Sequence, residues 1–251
     1  MWPRIMIAVI ATLTLTLPAR AQITSISHAW GAGPVSRGAL AELRGQNLAD
    51  RIEGVNLGNM GTTLGGVTVT VDGVPSILWY VSPTLIQFAI PDEVPPTRIE
   101  FIPRRPAKVY PQEVKVSGYK THTFQFYLMD TAPWWNLFDG NLQGIVIAGN
   151  PPYLFQVIQK GVIPVSPGAR ARLTASGARS FRPPENVFYK ILFLTAEGDF
   201  LETEAGVWKD PVMPGTDLVT FDVPMEWKGR KGFLFLQTPS NFSEGAPVTF
   251  E

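Results

Sequence analysis

From residue 22 onward the apolar positions recur in short runs with a period of two, the spacing of strands buried on one face. The clearest run is "GVTVTVDGVPSILWYVSP" over 66–83, where Val67, Val69 and Val71 alternate with Thr68 and Thr70. Asp72-Gly73 then interrupts the alternation, and both residues tolerate the positive φ of a two-residue hairpin turn. Further strands are predicted at 39–48, 85–91, 98–103, 113–118 and 121–129. After an aromatic-rich interval they resume at 169–176, 187–198, 200–208, 217–224, 232–239 and 247–251. About seven strands at intervals of roughly ten residues is the signature of a β-sandwich.

The pattern repeats. "PVSRGALAEL" (34–43) and "PVSPGARARL" (164–173) agree at seven of ten positions, 130 residues apart. "LIQFAIP" (85–91) matches "LVTFDVP" (218–224) at an offset of 133, and Asp72-Gly73 has a candidate counterpart in Glu197-Gly198. Blocks kept in order over that distance point to duplicated domains rather than a short solenoid repeat. The predicted fold class is therefore all-β, a tandem of immunoglobulin-like β-sandwich domains. Residues 22–130 form the first sandwich, 131–162 an aromatic-rich connecting segment, and 163–251 the second.

Several motifs within the repeat resemble a known family. Gly45-Gln46-Asn47-Leu48, Gly65-Gly66-Val67, Tyr80-Val81-Ser82-Pro83 and Gln87-Phe88-Ala89-Ile90-Pro91, followed by "TAPWWNLFDGNLQGIVIAGN", occur in the order of a Solibacter-type uncharacterised C-terminal domain family of Acidobacteria. The resemblance is strongest over 33–91 and 131–150, and the second half lacks a clear "GGV…YVSP" block. It implies an immunoglobulin-like sandwich related to the IPT/TIG type on exported bacterial proteins, and it implies no activity.

Composition agrees with this reading. Twenty-three Gly and 23 Pro break up any long helix, while 45% hydrophobic residues supply a core. The N-terminus reads as a secretory signal peptide over 1–21. It has a basic start, an apolar run of about 13 residues that is too short to span a bilayer, and Ala19-Arg20-Ala21 before Gln22. Export to the periplasm or beyond is the expectation, with no integral membrane span once the signal is cleaved. The absence of Cys excludes disulfides, a lipid-anchoring cysteine and a thiolate nucleophile. Loss of Arg4 and Arg20 with the signal leaves 19 basic against 21 acidic residues, which gives no electrostatic case for nucleic acid.

Little in the chain suggests chemistry. His28 and His122 are the only histidines, and no Gly-x-Ser-x-Gly elbow surrounds a serine, so both read as strand histidines. "DGNLQG" (139–144) resembles the start of a calcium loop, but the twelfth position holds Asn150 instead of a bidentate Glu. Turn chemistry accounts for that segment, and no metal or cofactor is expected. The most suggestive cluster is Trp134-Trp135, with Phe138 and Tyr153 nearby. Adjacent strand positions point one Trp inward and the other outward. These rings either plug the junction between the sandwiches or, where exposed, stack on sugar faces or anchor a partner. The candidate ligand-binding residues are thus Trp134, Trp135 and Tyr153, with no catalytic residue. The expected function is an exported, non-enzymatic immunoglobulin-like module for adhesion, scaffolding or recognition of a protein or polysaccharide partner. A carbohydrate-binding accessory protein using exposed Trp is the alternative, and a hydrolase with an unrecognised carboxylate pair is the third reading.

Overall fold

The computed structural model describes residues 22–56, 60–94, 109–118, 121–148, 154–180 and 188–251. The signal segment expected at 1–21, the strand expected at 98–103 and Tyr153 lie outside these residues. The described chain is all-β. Apart from one 3-10 turn at Met225–Trp227, its regular elements are strands.

Fifteen of them are four residues or longer. We number them β1 (Gln22–His28), β2 (Leu40–Gln46), β3 (Val67–Val71), β4 (Ile77–Val81), β5 (Leu85–Ala89), β6 (Val109–Ser117) and β7 (His122–Met129) in the first half. The second half contains β8 (Gly144–Ala148), β9 (Leu154–Val157), β10 (Arg170–Ser176), β11 (Tyr189–Thr195), β12 (Phe200–Lys209), β13 (Asp217–Asp222), β14 (Lys231–Gln237) and β15 (Ala246–Phe250). In the first half one sheet runs β1-β2-β5-β4 and the other runs β7-β6-β3, with Val35–Ser36 parallel to β7 at its edge. Their inner faces enclose one core, with Leu43, Leu78, Ile86 and Phe88 from one sheet against Val69, Val71, Val114 and Leu128 from the other.

The second half follows the same plan: β8-β10-β13-β12 on one side and β15-β14-β11 on the other, with Val162–Ile163 parallel to β15. The ten-residue β12 belongs to both sides, pairing with β13 through Gly206–Lys209 and with β11 through Phe200–Ala205. A second, separate core fills this half, centred on Trp227, Phe193 and Phe250, whose rings lie 4.9–5.3 Å apart.

The sequence repeat is also a repeat of register. Leu43 lies opposite Ile86, and their counterparts Leu173 and Val219 lie opposite each other. The repeated phrase builds the same turn twice: Ala39 N–H donates to Ser36 O (3.2 Å) and Ala169 N–H to Ser166 O (3.0 Å). Gly38 (φ 66°) and Gly168 (φ 71°) occupy the left-handed position of that turn, where a side chain is strained. The next strand closes on it alike, through Ile90 N–H to Ala39 O and Val223 N–H to Ala169 O, each 2.8 Å.

Two features refine these expectations. The hairpin at Asp72-Gly73 forms with both residues left-handed (φ 46° and 81°), but its ladder extends only to Pro75 and Ser76. Beyond Ser76, whose N–H still donates to Val69 O (2.9 Å), the chain crosses to the opposite sheet as β4. The interval 131–162 is also not a free-standing connector. Trp134–Trp135 and β8 both pair with β10, and Trp135, Leu142 and Val146 lie in the second core.

The halves meet through buried polar contacts. Ser36 Oγ and Ala132 N–H both donate to Gly177 O (2.9 and 2.8 Å), and the Trp79 indole N–H donates to Pro214 O (3.0 Å). Trp79 reaches there from a bulge between Leu78 and Tyr80, an irregularity that re-aims a side chain. Arg179 binds Asp92 of the first half (2.6 Å) and the fully buried Asp217 of the second. Against the desolvation of burial, Arg179 and Lys209 hold the Asp92 carboxyl below its ordinary range.

Candidate functional site

Strand alternation separates the two tryptophans singled out from sequence. Trp135 points into the second core, 4% exposed, and its indole N–H donates to Leu234 O (3.2 Å). Trp134 points the other way and packs on the first half. Its ring stacks on His28 (centroids 5.4 Å, 22°) and lies against Gly31 and Gly33, where a Cβ would come within 2.3 and 2.1 Å of it. Trp134 therefore joins the halves and leaves only shallow depressions of about 150 and 230 Å³ beside it. Of the two roles expected for these rings, the packing one is seen: Trp135 lies in the second core and Trp134 at the junction of the halves, both laddered onto β10.

The same junction brings together a serine and a histidine 148 positions apart. His28 Nδ1 accepts the Trp30 N–H (3.1 Å), so the ring proton sits on Nε2 and is donated to Ser176 Oγ (2.9 Å). Ser176 donates onward to Gly215 O (2.7 Å) and accepts the Leu40 N–H (2.9 Å). A serine nucleophile requires the reverse arrangement, with the imidazole lone pair facing the hydroxyl. Burial also pushes His28 down to about 3, so the ring stays neutral at working pH. The pair acts as a hydrogen-bonded pin between the halves.

The segment read as turn chemistry at 139–144 is a tight turn with Asp139 and Gly140 both left-handed (φ 50° and 74°). The Asn141 side-chain amide donates to Asp139 O (3.0 Å) and that of Gln143 to Asn141 O (3.0 Å). Both amides thus close the turn upon itself. Asn150 lies outside the described residues.

Two surfaces of the second half, neither singled out from sequence, have the shape and chemistry of binding sites. The first is centred on Trp208, which is 55% exposed. Phe200, Glu202, Glu204, Gly206 and Trp208 alternate with Leu201, Ala205 and Val207, which pack on the core. The Trp208 ring lies over Gly206, where a Cβ would sit 2.0 Å from a ring carbon, so it rests on bare backbone. Beside it a depression of about 300 Å³ is bordered by Glu204, Thr220 and the Arg170–Asp222 ion pair (2.8 Å). Period-two phase alone would have exposed this residue, since a Trp in phase with two glutamates cannot share a face with Val207.

The second surface is a groove of about 600 Å³ across β11, β14 and β15. Its floor includes Leu194, Phe233 and Pro247, which lie side by side in register, with Lys160, Lys231, Thr249 and Asn141 along its polar side. It assembles from five separated stretches of chain, so no local motif announces it. Among known proteins, no family model and no curated sequence matches this chain.

Proposed function

We propose that this chain is an exported, non-enzymatic recognition module of two immunoglobulin-like sandwiches that binds saccharide through the outer face of the second. The strand order and register shared by the halves support the tandem reading. The IPT/TIG relationship and export rest on the sequence resemblance and on the N-terminal signal pattern.

One observation carries the ligand class: Trp208 lies on Gly206 with its outward face open, bordered by carboxylate, guanidinium and hydroxyl groups. An aromatic face covers the C–H face of a sugar ring, and the surrounding polar groups bond its hydroxyls. A general adhesion surface would not need a glycine beneath the ring. The tautomer of His28 leaves Ser176 without a base, which argues against a serine nucleophile at the junction.

The test is retention of the mature chain on a panel of insoluble neutral polysaccharides. Trp208→Ala should lose roughly ten-fold or more in affinity for the polymer that retains the wild type, the scale of a lost aromatic contact. Gly206→Val, which displaces the ring without removing it, should lose a similar amount. Equal retention of all three proteins would refute the assignment.

A further inference from the structure

We propose that the groove over β11, β14 and β15 is a second, separate binding site, selective for a carboxylate-bearing saccharide such as a uronic acid chain. The outer face of this part of the sheet carries two adjacent rows of different character. Phe200, Leu194, Phe233 and Pro247 are successive cross-strand neighbours on β12, β11, β14 and β15, making one continuous apolar row. Phe200 and Phe233 remain 70% and 49% exposed, although apolar side chains in such a row ordinarily gain from being covered.

Two residues along from Phe233 the character changes. Lys231 pairs with Thr249, and Thr249 in turn faces Val162 and donates its N–H to Gly161 O (3.0 Å). Lys160 precedes that turn, so the two lysines flank Thr249 across about two strand spacings, roughly 10 Å. Both lysines are exposed, and among the described residues no acidic side chain lines the groove. Asp199, on the neighbouring turn, is engaged by Arg230 at 3.4 Å. In a chain with 21 acidic and 21 basic residues, a concave surface holding two cations and no anion selects for negative charge.

The two rows together define the ligand. A sheet face is a flat floor, suited to one face of a pyranose ring and unable to enclose an acyl chain. The Phe233 ring takes the C–H face, Lys160 and Lys231 take the carboxylates, and the Thr249 hydroxyl and Asn141 amide meet the ring oxygens. This site shares with the Trp208 reading only the premise that the protein binds saccharides, and it stands or falls separately.

The experiment is calorimetric titration of the mature full-length chain with short oligogalacturonides, with neutral cello-oligosaccharides as the counter-ligand. The wild type should bind the acidic oligomer, while Lys160→Ala/Lys231→Ala and Phe233→Ala each lose about ten-fold or more. Trp208→Ala and the remote Lys115→Ala should bind as the wild type does. All variants change exposed side chains, and circular dichroism checks that they fold. The proposal is overturned if the wild type does not bind, or if the double lysine variant binds unchanged. It is equally overturned if Lys115→Ala loses as much, which would indicate diffuse charge attraction. Loss confined to Trp208→Ala would assign the acidic ligand to the other site and overturn it as well.

Discussion

The repeated turn provides a comparison with its own control. Gly38 and Gly168 sit at the same turn position with nearly the same φ, 66° and 71°. An alanine at either must hold the left-handed conformation, which costs about 1–2 kcal/mol, partly offset by a stiffer unfolded chain. At Gly168 a Cβ meets nothing within 4 Å, so Gly168→Ala should destabilise by about 1 kcal/mol. At Gly38 the same atom would lie 2.1 Å from Arg179 Nη2 and 2.5 Å from Asp92 Oδ1. The guanidinium cannot swing away cheaply, because Asp92 and the buried Asp217 both hold it. Breaking a buried ion pair costs about 3–5 kcal/mol, and the 19% and 22% exposure of Arg179 and Asp92 lowers that to about 2–3. Gly38→Ala should therefore cost about 3–4 kcal/mol in all, read by urea denaturation with tryptophan fluorescence. In an Arg179→Ala background the extra cost of Gly38→Ala should shrink to the backbone term of about 1 kcal/mol. Equal losses for Gly38→Ala and Gly168→Ala would refute the claim that Arg179 holds the halves together.

The other stability predictions concern the pin between the halves. Ser176→Ala strands the Leu40 N–H, the His28 Nε2–H and the Gly215 carbonyl in a buried site, and should cost at least about 3 kcal/mol at about 1–3 per group. A loss below about 1 kcal/mol in the same denaturation assay would contradict it. The pH dependence involves two opposed groups. His28, lowered by burial from 6.5 to about 3, is neutral when folded, so its contribution is present above 6.5 and is lost as pH falls toward 3. Asp217, raised by burial from 3.8 to about 6 against the pull of Arg179, contributes below 3.8 and loses that contribution as pH rises through 6. Between about 4 and 6 the two slopes, each about 1.4 kcal/mol per pH unit at most, oppose each other. Stability of the wild type should vary little over that window through these two groups. In His28→Gln it should fall as pH rises from 4 to 6, and an unchanged profile would show that one of the two groups does not titrate as assigned.

Much of the secondary structure was legible because it is local. Val67, Val69 and Val71 declare a half-buried strand by their spacing alone, and Asp72-Gly73 declares its turn by the φ values those residues accept. The repeat was legible because the same type of turn calls for the same residues, with glycine at the left-handed position in both copies. Where the counterpart turns differ, so do their residues. After β11 the turn is one residue longer, with Thr195 N–H bonded to Asp199 O (2.9 Å) and only Gly198 of the pair Glu197-Gly198 left-handed.

What sequence could not reveal was pairing across distance. Nothing near Trp134 or Trp135 says that they will ladder onto Ser176 and Ala175, and that pairing turns a candidate platform into a core residue and a spacer. His28 and Ser176 meet because Trp134 stacks on His28 while Ser176 accepts the Leu40 N–H of β2, and their proton arrangement depends on the Trp30 amide. Trp208 was within reach of sequence through its phase with Glu202 and Glu204, but its ring settles on Gly206 only in the folded strand. Side-chain alternation, turn chemistry and the duplication are short-range properties that neighbouring residues dictate. Which faces are covered, which cations gather around Thr249 and which aromatic rings stay open were decided by the stacking and register of strands far apart in the chain. Burial and charge are properties of surfaces, and those surfaces exist only once the sheets have closed.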